Sequence, residues 1–459
     1  MLALGSGAYV LLQSLVVPAL PVLEHDLHTS TTGVTWVFTS YLLAASVVTP
    51  IAGRLGDMLG KKRVLVVALV GLSLGSLLAA LVSSLGPMIA ARTIQGLGGA
   101  IFPLAFGILR DELPRERVAG AIALVSGILG IGGGLGIVLA GPILQHLGYH
   151  WLFWIPLVVT SLSAAAAIVF IPESPLRAPG EIHWRGAALL SAWLVCLLLA
   201  VSEASTWGWT SAKTLGLLVA AAVVAVIWVV AETRVAHPLV DMKMMRVRAV
   251  STTNTAALLL GFGMYSAFIL IPQYTETPRS TGWGFGASVT QSGLFLVPTT
   301  IAMLITSPIG GRLSGVVGSK LPLVLGSAIT AVAFVVLALA HSRADIYLAS
   351  ALLGMGVGFA FAAMANLIVE AVPPHQTGVA TGMNTIVRTI GGAIGAEVAA
   401  TIIAANLLAG GLPARHGYTL TFAICAGVVG LGVLASLAVP SRSEARAHVV
   451  ALAAPASSD

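Results

Sequence analysis

Charge is scarce in this chain: only 9% of its 459 residues are Asp, Glu, Lys or Arg, against about 25% in soluble globular domains. With 57% hydrophobic residues and a mean hydropathy of +0.98, that scarcity excludes a water-soluble core, which could not hide so much apolar surface. Cysteine is rarer still. The only two, Cys196 and Cys425, fall within apolar runs, which excludes a disulfide framework. The ten histidines lie in loops, at the ends of apolar runs or in the tail, with no paired His/acid spacing inside a run, so a helix-borne metal centre and a membrane metalloenzyme are not expected. No glycine-rich stretch follows a strand, so no nucleotide-binding loop, and no cofactor, is implied. Apolar and polar residues do not alternate, which excludes a membrane β-barrel. No basic residue precedes the first apolar run, which begins at Met1 and so lacks the charged leader of a secretory signal; either the first helix starts abruptly or the given start is truncated.

What is present is a series of apolar stretches near 20 residues, the length that crosses about 30 Å of hydrocarbon at about 1.5 Å per residue. In lipid such segments must be helices, because no backbone group is left unpaired. Charge and Pro/Gly clusters predict spans at 2–23, 34–53, 64–84, 87–108, 118–143, 151–171, 186–204, 214–231, 250–272, 289–310, 321–341, 345–369, 377–405 and 418–439. The fold class is therefore all-α, a polytopic membrane protein with fourteen spans.

The formal charge of +6 reports topology rather than a nucleic-acid partner. Apart from Arg92 and Arg388 inside spans, only Lys213, Arg279, Arg343 and Arg415 fall on one side, and every other Lys and Arg falls on the opposite one. The positive-inside rule makes the rich side cytoplasmic, with both termini there. Trp151, Trp207, Trp209 and Trp283 sit at the outer span ends, where an interfacial aromatic belt belongs.

A self-match fixes the internal organisation. Pro50-Ile51-Ala52-Gly53-Arg54-Leu55 returns as Pro308-Ile309-Gly310-Gly311-Arg312-Leu313, 258 residues later, and Gly60 and Lys62 return as Gly318 and Lys320. The same offset carries Gly96 and Gly98 onto Gly354 and Gly356, and Gly133-Gly134 onto Gly391-Gly392. An offset of eight spans keeps matched loops on one side, so the repeat is parallel, with the substrate site expected between the halves at mid-membrane. The expected layout is a six-helix bundle at 1–171, an inserted pair with its loops at 172–249, a second six-helix bundle at 250–440 and a disordered tail at 441–459.

Gly53-Arg54-Leu55-Gly56-Asp57-Met58-Leu59-Gly60-Lys61-Lys62-Arg63 resembles the signature loop between helices two and three of the major facilitator superfamily. Glycine permits the tight turn and close helix contact, and the basic residues anchor the cytoplasmic face. The resemblance implies a conformational gate at Gly53, Asp57, Gly60, Lys61 and Arg63, with Asp57 latching the two halves in one alternating-access state. Arg92-x-x-Gln95-Gly96-x-Gly98 in the fourth span resembles a second superfamily motif. A charge at mid-membrane is costly and marks function by default; the other reading is an arginine bonded to carbonyls of a neighbouring helix. Arg92, Gln95 and Gly99 share one face of a regular helix.

The fifth span, with Gly130, Gly133, Gly134, Gly141 and Pro142, resembles the glycine-rich motif of drug:proton antiporters, although Gly141-Pro142 falls late and Gly133-Gly134 stands alone. His237-Pro238-Leu239 and Arg388-x-x-Gly391-Gly392 resemble fourteen-span drug exporters, while Leu12 and Val17 stand where those exporters commonly carry an acid and an amide. The resemblance implies an exporter of small hydrophobic or cationic compounds, exchanging them for protons across the cell membrane; an uptake facilitator or symporter shares the fold, and a transport-inactive receptor is a third reading.

Proton coupling calls for a group that titrates inside the membrane, and Glu397 is the clearest acid within a span. Nine residues separate it from Arg388, half a helical turn net, so the two point to opposite faces. Thr377, Thr381, Asn384, Arg388 and Gly395 form the stripe assigned to the interior. Candidate substrate contacts are Gln13, Tyr265, Gln273, Gln291, Asn366 and Asn384, with the methionines Met264, Met303, Met355 and Met364 as adaptable lining. No enzyme chemistry and no nucleic-acid partner are expected; the expected partners are a small-molecule substrate, protons and lipid, with the protein a monomer.

Overall fold

Long Leu, Val, Ala and Ile runs can satisfy their backbone in lipid only as helices, and helices are what the computed structural model contains over its described residues, 1–174, 182–408 and 410–440. The expected tail at 441–459, with Arg442 and Arg446, and the loop residue Arg177 lie outside the described residues. The first half comprises α1 (Leu2–Val16), α2 (Leu20–Asp26), α3 (Thr31–Leu59), α4 (Lys61–Leu81), α5 (Leu85–Gln95), α6 (Ile101–Glu112), α7 (Arg115–His146) and α8 (Trp151–Phe170). Then come α9 (Trp184–Ser202), α10 (Ala204–Trp207), α11 (Ala212–Arg234) and α12 (Met242–Arg246). The second half runs through α13 (Arg248–Glu276), α14 (Val289–Leu294), α15 (Val297–Val317), α16 (Lys320–Leu339), α17 (Arg343–Ala371), α18 (Thr377–Ala405) and α19 (Arg415–Leu437).

Among the described residues, thirteen helices are long and apolar enough to cross a membrane. The expected first span, 2–23, is different. Pro18 has no amide hydrogen, so the ladder stops at Val16, the chain makes a tight turn through Val17 to Ala19, and α2 carries on. Alone, α1 has 15 residues, about 22 Å at about 1.5 Å each. The fourth span also departs from a regular helix: Gly96–Ala100 winds as a 3₁₀ segment between α5 and α6, because a run of glycines offers no side-chain resistance to the tighter turn.

The 258-residue register recurs in the helices. Pro50 lies inside α3 and Pro308 inside α15; α3 ends on Gly60 at φ 114° and α15 on Gly318 at φ 89°, conformations that favour glycine. One apolar core gathers residues between Leu12 and Ile171, and another gathers Ile137 with residues between Ala256 and Val439. A smaller cluster joins the halves, with Val10, Phe102, Phe106 and Ile122 against Ala365 and Val369.

Helices α9 and α11 pack on each other, and α9 rests on α3 and α18, with Trp193 and Trp228 5.9 Å apart between the pair. At the basic end, the buried Glu232 carboxylate accepts the Val240 N–H at 3.2 Å and faces His183 Nδ1 at 3.1 Å. At the other end, the Ser205 N–H donates to Glu397 at 2.5 Å, and the Trp209 indole N–H donates to Thr401 Oγ1 at 2.8 Å.

Candidate functional site

The basic end of the molecule holds a polar contact between the halves. A helix N-terminus leaves its first N–H groups without intrahelical partners and carries partial positive charge. At α18 those donors find Asp57, on the last turn of α3: Gly378 N–H reaches Oδ1 at 3.2 Å and Val379 N–H reaches Oδ2 at 3.1 Å. Close helix approach makes this possible. A Cβ on Gly53 would lie 2.5 Å from the Gly378 carbonyl oxygen, and one on Gly378 would lie 2.5 Å from the Gly53 oxygen. Arg110, at the end of α6, adds bonds from Nη1 to Thr377 Oγ1 at 2.6 Å and from Nη2 to the Val372 carbonyl at 2.9 Å.

Beneath this contact Lys61 is wholly buried, with Asp111 at 2.6 Å and Asp57 at 3.8 Å. Ser174 Oγ also donates to Asp111, at 2.5 Å. Glycine is required at position 60, where φ is positive and a side chain would run into the Glu173 carboxylate. Arg63 is largely exposed and reaches Glu173 at 3.5 Å. The structure thus gathers four of the expected gate residues, Gly53, Asp57, Gly60 and Lys61, and leaves Arg63 at the rim. It adds Arg110, which in the sequence is one more charge on the basic side, and Asp111, which no sequence motif marks.

Arg92 is fully buried and bonded much as a structural arginine would be: Nε donates to the Val37 carbonyl at 2.9 Å and Nη1 to Gln95 Oε1 at 2.7 Å, while Gln95 passes the chain on to Ser76 at 3.0 Å. Its guanidinium lies 4.3 Å above the Tyr41 ring, and the Tyr41 hydroxyl donates to the Tyr9 carbonyl at 3.3 Å. Nη2 has no hydrogen-bond partner among the described residues. The shared face expected for Arg92, Gln95 and Gly99 does not persist, because the 3₁₀ segment intervenes and Gly99 packs against Thr49 and Ala45 of α3.

Between the halves lies a small cavity, with room for about one water, lined by Phe106 and Ser126 from the first half and by Phe361, Ala365, Thr381, Asn384, Thr385 and Arg388 from the second. Arg388 is 8% exposed and its guanidinium stands 4.6 Å from the Phe361 ring centroid. Asn384 is oriented by Asn254, at 2.9 Å. Of the expected stripe Thr377, Thr381, Asn384, Arg388 and Gly395, the cavity is lined by Thr381, Asn384 and Arg388, while Thr377 meets Arg110 and Gly395 packs against Phe262 of α13. Glu397 points away, as half a turn requires, and meets Ser205 instead.

Other candidates fall elsewhere. Gln291 caps α14, exchanging hydrogen bonds with Ser288, so it belongs to a helix terminus and not to the cavity. Asn366 is buried and bridges the halves by donating to the Ala119 carbonyl at 3.3 Å. Tyr265 lies against Gly392 and within electrostatic reach of Arg388; Gln13 is half-buried on α1 and Gln273 exposed on α13. Met264, Met303 and Met364 pack in the second apolar core and, with Met355, are absent from the cavity lining. On α7, Gly132 and Gly136 face Val10 and Ser14 of α1, while Gly127, Gly134 and Gly141 face Ser307, Thr300 and Thr290 of the second half. Gly133 looks toward Phe268, Pro142 lies inside the helix, and the surroundings of Gly130 lie outside the described residues. Among the described residues, no group of three or more His, Cys, Asp or Glu could hold a metal.

Comparison with known proteins agrees with this fold. The Major Facilitator Superfamily profile matches residues 2–396. The chain is 29% identical over 386 residues to the tetracenomycin C resistance and export protein of Streptomyces glaucescens, covering 83% of this chain and 71% of that one. It is 29% identical over 358 residues to multidrug resistance protein 3 of Bacillus subtilis, covering 76% and 68%. With an uncharacterized MFS-type transporter of Mycobacterium tuberculosis it shares 32% over 378 residues, 80% of this chain but 54% of that protein's length. In three dimensions it superposes on the crystal structure of the human organic anion transporter MFSD10 with a TM-score of 0.66, covering 95% and 97% of the two chains at 16% identity, a likeness of fold alone. Helices, register and profile agree: this multi-span membrane protein belongs to the Major Facilitator Superfamily.

Proposed function

We propose that the protein exports small, largely apolar compounds across the cell membrane by alternating access, driven by protons. In this reading 1–171 and 250–440 are the two moving halves, 172–249 carries the inserted pair, fourteen spans place both termini in the cytoplasm, and the cavity around Arg388 is the transit site. The carrying observation is that the halves touch through Asp57 and Arg110 at the basic end, over a cavity at mid-depth. Hydrogen bonds to charged groups contribute about 1.5–3 kcal/mol each, so the four bonds form a latch that substrate binding and release can tip only through differential affinity for the two states. Relatives named for multidrug resistance and tetracenomycin C export support the outward direction.

The test is dye or antibiotic accumulation in efflux-deficient cells expressing the full chain, with and without an uncoupler. Lower accumulation that the uncoupler abolishes is expected. Uncoupler-insensitive equilibration of every compound tried would instead favour a facilitator.

A further inference from the structure

From the charges around the cavity, we propose that the transit site recognises an anionic oxygen, a carboxylate or ionised phenol on an aromatic body, and disfavours organic cations. The inference rests on the export reading for the site's location but concerns its chemistry.

Among the described residues, the charged side chain that lines the cavity is positive. Arg388 lines the cavity, 8% exposed, and among the described residues its guanidinium has neither a carboxylate partner nor a hydrogen bond. Arg92 lies behind Tyr41, with Nη2 unpartnered among the described residues. The buried acids are all elsewhere. Asp57, Asp111 and Glu232 sit at the basic end, and Glu203 and Glu397 at the opposite one, beside α10. The groups within electrostatic reach of Arg388 are the phenols Tyr265 and Tyr9.

A guanidinium remains charged when buried, and a buried charge without a partner is costly. A bound anion would relieve that cost, whereas a bound cation would add to it. The rest of the lining fits the same cargo. Phe106 and Phe361 border the cavity as an apolar wall, and the hydroxyls of Ser126, Thr381 and Thr385, which donate to carbonyls of their own helices, would have to turn toward a bound anion to donate to it. No carboxylate among the described lining residues could receive the cationic cargo that the family resemblance suggested.

Three probes of one shape separate the possibilities: 2-naphthoate, 2-naphthylmethanol and 2-naphthylmethylammonium, measured by equilibrium dialysis against the purified full chain. Naphthoate should bind roughly tenfold tighter than the alcohol, about the worth of one charge-assisted hydrogen bond, and the ammonium should bind weakest. Arg388→Gln should erase the preference, and Arg388→Lys should keep most of it. Ammonium binding as tight as naphthoate, no saturable naphthoate binding, or an unchanged preference in monodisperse Arg388→Gln would overturn the proposal; the wild-type ranking decides if that variant does not fold. Energised vesicles separate this from the export reading. Naphthoate preferred but never transported would sink export alone, while uncoupler-sensitive transport of the ammonium alone would sink this proposal alone.

Discussion

Lys61 holds two carboxylates in a fully buried setting, Asp111 at 2.6 Å and Asp57 at 3.8 Å. Removing one member of a buried ion pair leaves an uncompensated charge, at about 3–5 kcal/mol. Lys61→Ala should therefore lower thermal stability in detergent more than Lys61→Ala/Asp111→Ala does, as read by a melting assay; a double-variant loss equal to the sum of the Lys61→Ala and Asp111→Ala losses would mean the pair contributes no specific coupling. The sequence made part of this cluster visible. Asp57 and Lys61 stand in a recognisable loop, but Asp111 comes 50 residues after Lys61 in an Arg-Asp-Glu run like any surface charge. Nothing local says that Asp111 is buried, because tertiary packing brings α6 beside α4.

At the scale of elements, helical periodicity carried the reading as far as periodicity can. It separated Arg388 from Glu397 correctly, since half a turn is a property of α18 alone. It could not show that Glu397 meets α10, which belongs to a different part of the chain. Glu397 there accepts an N–H and Thr401 accepts the Trp209 indole, so this face ties the inserted pair to α18. Glutamine at position 397 can still accept that N–H. Vesicles carrying Glu397→Gln should therefore keep the wild-type pH profile of efflux to within about twofold, while a shift of about one pH unit, some 1.4 kcal/mol, would return the proton to this residue. Regular periodicity also misread two elements. The glycine run at 96–99 tightens into a 3₁₀ turn, and Pro18 divides the first span; in both places a backbone effect of Gly or Pro overrides the apolar pattern.

For the whole molecule, the 258-residue repeat was the most legible feature, and the paired helix ends at Gly60 and Gly318 follow it. The cavity was less so, because Ala365, Ser126 and Phe106 look like ordinary span residues until the halves face each other. The most direct measurement is pulsed electron resonance between spin labels at Leu59→Cys and Pro374→Cys, in a chain whose native cysteines are replaced, reconstituted in lipid. Two distance populations are expected, closed and open at the basic end, and Asp57→Asn should move the ratio toward the open one by about tenfold, since weakening a capping carboxylate costs about 0.5–2 kcal/mol. A single distance, unmoved by Asp57→Asn in a protein that still transports, would contradict the latch and the alternating-access reading built on it.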